Sequence, residues 1–172
     1  MILRISNFLT EEEASFWRKY CNYAIKNPTI EVGLKAGKDR KQTAVDRNYY
    51  SVREEFHWMR KAKKIAEREF KEKLFYQKNS YCHIMHYHKV GQGLEWHAEP
   101  NIATVSVSIN ISPIWDYTGA NLELKNYNEP LNYLDAIFYP SGHQHRVTDL
   151  KSGVKKSLVM WLPNEKQRCA DS

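Results

Sequence analysis

The sequence is poor in cysteine, and the cysteines it has are scattered. Three occur in 172 residues, at Cys21, Cys82 and Cys169, and no two of them form a CxxC pair. A disulfide framework and a cysteine-ligated zinc site are therefore not indicated. We expect a reducing, cytoplasmic setting, in which thiols stay free.

Long apolar runs, repeats and low-complexity segments are also missing. No stretch approaches the roughly 18 consecutive apolar residues of a transmembrane helix, and the N-terminus lacks the pattern of a signal peptide. No membrane partner is therefore expected. Because the chain shows no linker and is long enough to bury a core, residues 1–172 are expected to form one domain.

The chain is rich in aromatic residues and carries an excess of positive charge. Eleven Tyr, six Phe and five Trp argue against disorder of the whole chain. The net charge of +6 favours acidic partners, nucleic acid among them. Acidic residues are interspersed with the basic ones, however, and this mixture is more typical of an ordinary solubilising surface.

The first 78 residues carry the signals of a short strand, at residues 2–5, and of two helices. The sequence Thr10–Glu13 is a capping box, which predicts a helix that runs to about Lys26. The sequence Ser51–Glu54 has the same pattern and predicts a second helix that runs to about Leu74. Apolar residues recur at helical spacing in both segments, so each helix is expected to bury one face.

Between the two predicted helices lie a short strand pattern and a polar loop. Residues 29–34 are predicted to form the strand. Residues 35–47 carry five basic residues and no apolar period. Such a loop either closes over a site as a lid or is a solvated excursion, and the sequence alone does not choose between them.

From residue 79 onward the helical spacing disappears and short alternating patterns follow one another. Gly, Pro and Asn mark the breaks between them. Two helices followed by a run of short strands predict an α+β, mainly β, architecture with the helices on one side of a sandwich or barrel. Residues 1–78 are assigned as helical support and 79–163 as the β core. The predicted strands are 81–88, 94–99, 103–110, 120–125, 134–139, 145–149 and 156–162.

Two of these strands alternate so cleanly that their faces can be assigned. In each, the apolar members are expected to face the helices and the others to face a pocket rather than water. In the first strand the apolar set is Val105, Val107 and Ile109, and the polar set is Thr104, Ser106, Ser108 and Asn110. In the second strand Leu158, Met160 and Leu162 form one set, and Lys155, Ser157, Val159 and Trp161 form the other.

A possible metal site follows from three residues. His97 and Glu99 are two positions apart, so in a strand both side chains point the same way, and His145 lies on a distant strand. Two imidazoles and one carboxylate that leave positions open suit a non-haem Fe(II) oxygenase. His143, two residues before His145, is the weaker candidate for the third ligand.

A rival cluster is formed by His83, His86 and His88 on one predicted strand. His86 and His88 share a face, but no carboxylate accompanies them, which favours structural roles. Lys155 follows His145 by ten residues. In a cavity its ammonium, with Ser157 nearby, would hold the distal carboxylate of a bidentate metal ligand, because a buried charge needs a counter-charge.

These residues, in this order and spacing, resemble the prolyl 4-hydroxylase-like branch of the Fe(II)/2-oxoglutarate dioxygenases. The likeness covers residues 81–163, and the opening strand and capped helix are similar too. The features that carry it are Tyr87, His97-x-Glu99, Ile109-Asn110 with Trp115-Asp116, Gly119–Leu122, Phe138–Ser141, His145–Val147, Gly153–Lys155 and Trp161.

The resemblance implies a double-stranded β-helix, or jelly-roll, with the two N-terminal helices packed on one sheet. It implies that His97, Glu99 and His145 bind Fe(II) and that Lys155 binds the C5 carboxylate of 2-oxoglutarate. Tyr87 would line the cosubstrate pocket. O2 would be the oxidant, and the family allows for ascorbate. Glu99 replaces the usual aspartate. Lys155 stands where many relatives have arginine, and the collagen-type prolyl hydroxylases also have lysine at this place.

The expected activity is hydroxylation of an unactivated C–H bond, with a prolyl residue of a peptide or protein as the expected target and with release of succinate and CO2. Two alternatives stay open. One is an oxygenase that modifies nucleic acid, prompted by the basic residues of 35–47. The other is a non-catalytic jelly-roll binding module, for which Glu99 in place of aspartate would be a sign of drift.

Overall fold

The computed structural model describes residues 1–27, 32–34 and 48–170. Its helices are α1 (Glu11–Lys26), α2 (His57–Phe70) and α3 (Glu165–Ala170), with a 3-10 turn at Ile114–Asp116. Its strands are β1 (Leu3–Ile5), β2 (Val32–Leu34), β3 (Asn48–Val52), β4 (Cys82–Tyr87), β5 (Leu94–His97), β6 (Val105–Asn110), β7 (Tyr117–Gly119), β8 (Leu122–Leu124), β9 (Ala136–Pro140), β10 (His145–Val147), β11 (Leu150–Gly153) and β12 (Lys155–Leu162).

The strands form one large sheet and two small ones. The large sheet has the order β1-β9-β6-β12-β4-β3-β2, and all of its pairs are antiparallel. A three-stranded sheet has the order β5-β10-β8, and β11 pairs with β7. The predicted fold class is confirmed, since this mainly β arrangement of layered antiparallel sheets is that of a jelly-roll.

The principal core lies between the helices and one face of the large sheet. Trp17 of α1 is 1% exposed and meets the rings of Phe56 and Trp58 edge-on, at centroid distances of 4.8 and 5.9 Å. Edge-to-face contacts of this kind add to the stabilisation that burial of the rings provides. The helices contribute Ala14, Trp17, Cys21, Ala24, Trp58, Met59, Ala62 and Ala66, and β6 and β12 contribute Val105, Val107, Ile109, Leu158, Met160 and Leu162.

The opposite face of the large sheet, with the three-stranded sheet, encloses a small cavity. Ser108 of β6 and Val159 and Trp161 of β12 line it, as the alternation predicted. The helix-facing sets of both strands are confirmed, and of the predicted cavity-facing sets these three residues line the cavity. The short period of a strand explains this success, because successive side chains must point to opposite faces.

The first capping box is confirmed and the second is wrong. Thr10 Oγ1 accepts a hydrogen bond from the Glu13 N–H at 3.1 Å, and Glu13 Oε1 accepts one from the Thr10 N–H at 3.0 Å. Ser51 instead lies in β3, opposite His83 of β4, and α2 begins only at His57. The neighbouring β-forming residues Tyr49, Tyr50 and Val52 pair with β4, and this sheet pairing overrides the local capping pattern.

Other boundaries also differ from the prediction. The strand expected at 94–99 ends at His97, so Glu99 lies just beyond it. The strand expected at 29–34 exists at 32–34, whereas residues 28–31 and the basic loop 35–47 lie outside the described residues. Strands β3, β7 and β11 and helix α3 were not predicted. Among the described residues, no helix is long and apolar enough to cross a membrane.

Candidate metal centre

Three side chains from β5, β10 and the turn after β5 converge on one point. His97 and His145 lie directly opposite each other in the β5–β10 pair. His97 Nε2 is 3.5 Å from Glu99 Oε1, and His145 Nε2 is 3.8 Å from Glu99 Oε2. One ligand atom from each residue lies within 4.8 Å of the other two. Among the described residues, this is the only group of three or more such side chains that could hold a metal ion.

Both imidazoles are turned so that Nε2 faces the centre. His97 Nδ1 lies 2.6 Å from the carbonyl oxygen of Glu95, and His145 Nδ1 lies 2.7 Å from that of His143. A carbonyl oxygen only accepts, so each Nδ1 must carry the proton and donate it. The neutral tautomer then presents an Nε2 lone pair, which is the form that binds a metal.

The Glu99 carboxylate is buried, with 5% of the residue exposed. The Glu99 N–H donates to the carbonyl of Ser141 at 2.7 Å, and Trp161 Nε1–H donates to Glu99 Oε2 at 2.9 Å. Burial by itself raises the pKa of this carboxyl. When the imidazoles carry a second proton on Nε2, the hydrogen bond from His97, the positive charges of His97 and His145 and the Trp161 N–H outweigh burial and bring the pKa well below its usual range. The carboxylate form is thus the one present at neutral pH.

The centre opens into a cavity of about 40 Å³ between the two sheets. Tyr87 lines it from β4, and Tyr139 lines it from β9 with its ring centroid 5.0 Å from that of His145. Burial raises the pKa of the Tyr139 hydroxyl, so the ring stays neutral. The remaining wall is Met85, Leu94, Ser108, Leu122, Val147, Val159 and Trp161. The three candidate ligands therefore lie in mostly apolar surroundings.

Lys155 lies on the cavity-facing side of β12, opposite Tyr87 in register and 5% exposed. Its ammonium donates to the backbone carbonyl of Ala120 and lies 5.2 Å from the Tyr117 ring centroid. Burial lowers the pKa of Lys155 to about 8. Ser157 follows it on the same face, half-buried, opposite Met85 and Asn110. Neither Lys155 nor Ser157 is part of the cavity wall as it stands.

Comparison with known proteins gives matches in structure alone. No family model matches the chain, and no curated protein sequence matches it. A prolyl hydroxylase from Trichoplax adhaerens, in complex with a fragment of the hypoxia inducible factor oxygen degradation domain, superposes with a TM-score of 0.72. The two chains are 15% identical over 99% of this chain and 87% of the other.

Two further structures broaden the comparison. A viral collagen prolyl hydroxylase from Paramecium Bursaria Chlorella virus-1, in complex with 2-oxoglutarate, has a TM-score of 0.64 and 16% identity, with 95% of each chain covered. The epimerase SnoN, in complex with Fe3+, alpha ketoglutarate and nogalamycin RO, has a TM-score of 0.67 and 9% identity, over 95% of this chain and 78% of the other. This chain has the fold of the 2-oxoglutarate and Fe(II) oxygenases. The predicted resemblance to their prolyl-hydroxylase-like branch is confirmed at that level.

Within this oxygenase fold, the structure separates the competing histidines. His143 Nε2 lies 2.8 Å from the carbonyl oxygen of Lys125, away from the three clustered side chains. His86 and His88 lie on one face, as their spacing predicted, and their rings stack on each other at 4.4 Å. Burial, together with the positive charge of His88 and Lys156, lowers the pKa of His86 to about 4. His83 packs against Trp161 instead.

Two contributors to the site were not assigned from the sequence. Tyr139 belongs to the Phe138–Ser141 segment of the resemblance but received no role there, although alternation within β9 puts it on the face opposite to the core residue Phe138. The hydrogen bond from Trp161 to Glu99 spans 62 residues of sequence. The alternation in β12 placed Trp161 on the correct face, but no local pattern identifies the partner of its N–H.

Proposed function

We propose that the chain is an Fe(II)- and 2-oxoglutarate-dependent dioxygenase that hydroxylates a C–H bond, with a prolyl residue of a peptide or protein as substrate. The observation that carries the proposal is the cluster of His97, Glu99 and His145, whose ligand atoms lie within 4.8 Å of one another and line one cavity. Two imidazoles and one carboxylate leave half of an octahedral metal open for other ligands, as Fe(II) oxygenases require.

The donor set fits Fe(II). Each imidazole has its proton fixed on Nδ1 by a carbonyl oxygen, so Nε2 is ready to bind without a change of tautomer. The third donor, Glu99, is already ionised in the absence of metal. When bound, iron and 2-oxoglutarate would together supply the chemistry that inserts an oxygen atom of O2 into a C–H bond. The protein's own part is to hold the ligands in place and to keep water out.

In this proposal Lys155 binds the distal carboxylate of 2-oxoglutarate. Its ammonium is buried and directed at the Ala120 carbonyl and the Tyr117 ring, with no acidic side chain among the hydrogen-bond partners that the structure gives it. A dicarboxylate would supply the missing counter-charge. Tyr87, opposite Lys155 on β4, would line the same pocket, with Ser157 next along β12.

A prolyl peptide is proposed as the substrate because two of the three compared proteins are prolyl hydroxylases, one of them bound to a peptide fragment. The epimerase shares the fold but is bound to nogalamycin RO. The substrate test is therefore a direct one. Prolyl peptides and oligonucleotides would be supplied in parallel, and succinate release would be measured together with the mass of each substrate. A gain of one oxygen by the peptide alone supports the proposal.

The decisive experiment is anaerobic. Apo-protein would receive Fe(II) and then 2-oxoglutarate while the visible spectrum is followed for the weak metal-to-ligand charge-transfer band. The wild type would be compared with His145→Ala and with the matched control His143→Ala. We expect the band in the wild type and in the His143 variant, and its loss in the His145 variant. A folded wild type without the band would instead favour the non-catalytic binding module.

A further inference from the structure

We propose that Trp161 is a positioning residue, whose indole N–H holds the Glu99 carboxylate in the orientation that binds metal. The inference rests on the proposed function, since it concerns the same metal site. Trp161 Nε1 lies 2.9 Å from Glu99 Oε2, and the other oxygen, Oε1, is the one that lies 3.5 Å from His97 Nε2. The two oxygens of the carboxylate therefore have different neighbours.

The donor chemistry of an indole suits this task. Its N–H is a donor only, so it can bind a carboxylate oxygen but cannot itself ligate a metal. A hydrogen bond to an ionised acceptor is also shorter and stronger than one between neutral groups. Oε2, which the indole holds, lies 3.8 Å from His145 Nε2, and Oε1 lies 3.5 Å from His97 Nε2. The indole therefore fixes the carboxylate with one oxygen beside each imidazole.

Glutamate needs such support more than aspartate does. It has one more methylene group and one more rotatable bond, so more side-chain freedom must be lost when its carboxylate is fixed. The main chain of Glu99 lies beyond the end of β5. Its N–H donates to the Ser141 carbonyl, and its carbonyl accepts from the N–H groups of Ile102 and Ala103. These bonds fix the main chain only, and the side chain is positioned by its own contacts, among them the hydrogen bond from Trp161.

Trp161 is itself held in place by aromatic contacts from neighbouring strands of the large sheet. Its ring meets His83 edge-on at 5.0 Å and an interplanar angle of 76°. His83 in turn stacks on Tyr49 at 4.8 Å and 21°. These three residues come from the adjacent strands β12, β4 and β3 and share the cavity-facing side. A row of packed rings thus ends at the carboxylate and leaves the indole, 6% exposed, little room to turn.

The test is a double-mutant cycle read by metal binding. Trp161→Phe keeps an aromatic ring at this position and removes the N–H donor together with one ring of the indole. Co(II), as a substitute for Fe(II), would be titrated anaerobically by calorimetry into the wild type, Trp161→Phe, Glu99→Asp and the double variant. Loss of a residue that orients a metal ligand typically costs about 10- to 100-fold in metal affinity, and we expect that loss for Trp161→Phe in the wild-type background.

In the Glu99→Asp background the same substitution should matter much less. The shorter side chain draws the carboxylate back from the indole, so little of the contact remains to be lost. A loss of equal size in both backgrounds would mean that Trp161 acts through general packing, and it would overturn the inference. Unchanged affinity in Trp161→Phe would overturn it too, and the proposed function would survive. A wild type that binds no Co(II) would remove the proposed function itself.

A second measurement covers the case in which Trp161→Phe fails to fold. In the metal-free protein, the indole N–H resonance of Trp161 can be assigned by NMR and compared between the wild type and Glu99→Gln. A proton that is donated to a carboxylate resonates downfield, so we expect an upfield shift when the charge is removed. His143→Ala is the matched control and should leave the resonance in place. A resonance that does not move in Glu99→Gln would contradict the hydrogen bond.

Discussion

The two faces of the large sheet are built from the same strands and carry opposite chemistry. On the helix side, Val107 of β6 and Met160 of β12 pack into a core with Trp17. On the cavity side, the next residues along, Ser108 and Trp161, line the candidate metal centre. One residue of displacement along a strand thus separates a position that stabilises the fold from one that shapes the site. The two functions should therefore be separable by mutation.

The cavity side carries groups that are costly to bury. Glu99 and Lys155 are each 5% exposed, and an isolated buried charge is strongly unfavourable. The Glu99 charge is offset by the Trp161 N–H and, when they are protonated, by the two imidazoles. Lys155 has a backbone carbonyl and an aromatic ring. The helix side stabilises the fold by packing, whereas the cavity side holds two buried charges, Glu99 and Lys155, that a metal ion and a carboxylate ligand would neutralise.

The largest expected effect comes from breaking the cavity side alone. His145→Ala removes one of the three candidate ligands and should abolish turnover while the free energy of unfolding changes little, because the core across the sheet is untouched. His143→Ala should retain most of the activity, since that ring contacts the Lys125 carbonyl and not the centre. Succinate release by both variants measures this. If His143→Ala is inactive and His145→Ala is active, His143 and not His145 is the third metal ligand.

Breaking the helix side should have the reverse result. Trp17→Ala removes a ring that is 1% exposed and packed against Phe56 and Trp58. Truncating a buried aromatic typically costs about 3–5 kcal/mol in the free energy of unfolding. The folded fraction should still bind Co(II) with wild-type affinity. Ile25→Ala, at a half-exposed position of the same helix, is the matched control and should cost less than about 0.5 kcal/mol in urea unfolding.

A marked loss of Co(II) affinity in folded Trp17→Ala would show that the two faces are coupled through the sheet. Packed interiors do transmit strain, because they have few voids in which a displaced side chain can be accommodated. The loss of Co(II) affinity in this variant, compared with its loss of unfolding free energy, therefore measures how independent the two faces are.

The sequence predicted which strand residues face the helices and which face the cavity, because alternation along a strand is a local pattern. The pattern of residues 104–110 assigned Val107 to the helix side and Ser108 to the cavity side, and the structure agrees. The spacing of His97 and Glu99 pointed to a shared target. That argument assumed a strand through both residues, whereas β5 ends at His97 and a turn delivers Glu99. The two side chains do converge, as predicted, but a continuous strand is not the cause.

The non-local features were not accessible from sequence. Nothing near Trp161 in the chain shows that its N–H meets Glu99, and nothing in the alternation of β10 shows that it pairs with both β5 and β8. The capping pattern at Ser51 failed for the same reason. A capping box competes with whatever else the segment can do, and here the competing partner was β4, some 30 residues away. The iron and cosubstrate roles of the site residues stay predictions.

A smaller effect would sharpen the comparison at Lys155. Burial lowers the pKa of its ammonium to about 8, so the charged form that binds a carboxylate dominates below that pH. In metal-loaded protein, affinity for 2-oxoglutarate should be flat up to about pH 7 and should fall about tenfold per unit well above pH 8. Lys155→Arg should lose this dependence, because a guanidinium stays charged. Calorimetric titration of 2-oxoglutarate across this range measures both variants.

Lys155 should also make the free energy of unfolding depend on pH, and this dependence has the opposite sign to that of 2-oxoglutarate affinity. The unfolded chain holds the lysine proton up to its ordinary pKa near 10.5, whereas the folded protein releases it near pH 8. The unfolded state therefore binds more protons between these values, and the free energy of unfolding contributed by Lys155 should rise with pH across that window. Urea unfolding of the ligand-free wild type and Lys155→Arg checks this. If the unfolding free energy changes with pH equally in the two proteins, then burial does not lower the pKa of Lys155.

The smallest effect is expected at the start of α1, far along the chain from every candidate ligand. Thr10→Ala removes the hydroxyl that accepts the Glu13 N–H and leaves that donor without its cap. A lost N-cap typically costs about 1 kcal/mol in the free energy of unfolding. Thr10→Ser keeps an acceptor oxygen and should recover most of that cost. Because α1 contributes to the helix-side core and to no wall of the cavity, metal affinity should be unchanged in both variants. A loss of affinity in Thr10→Ala that Thr10→Ser restores would make helix placement, and not the strands alone, a determinant of the site.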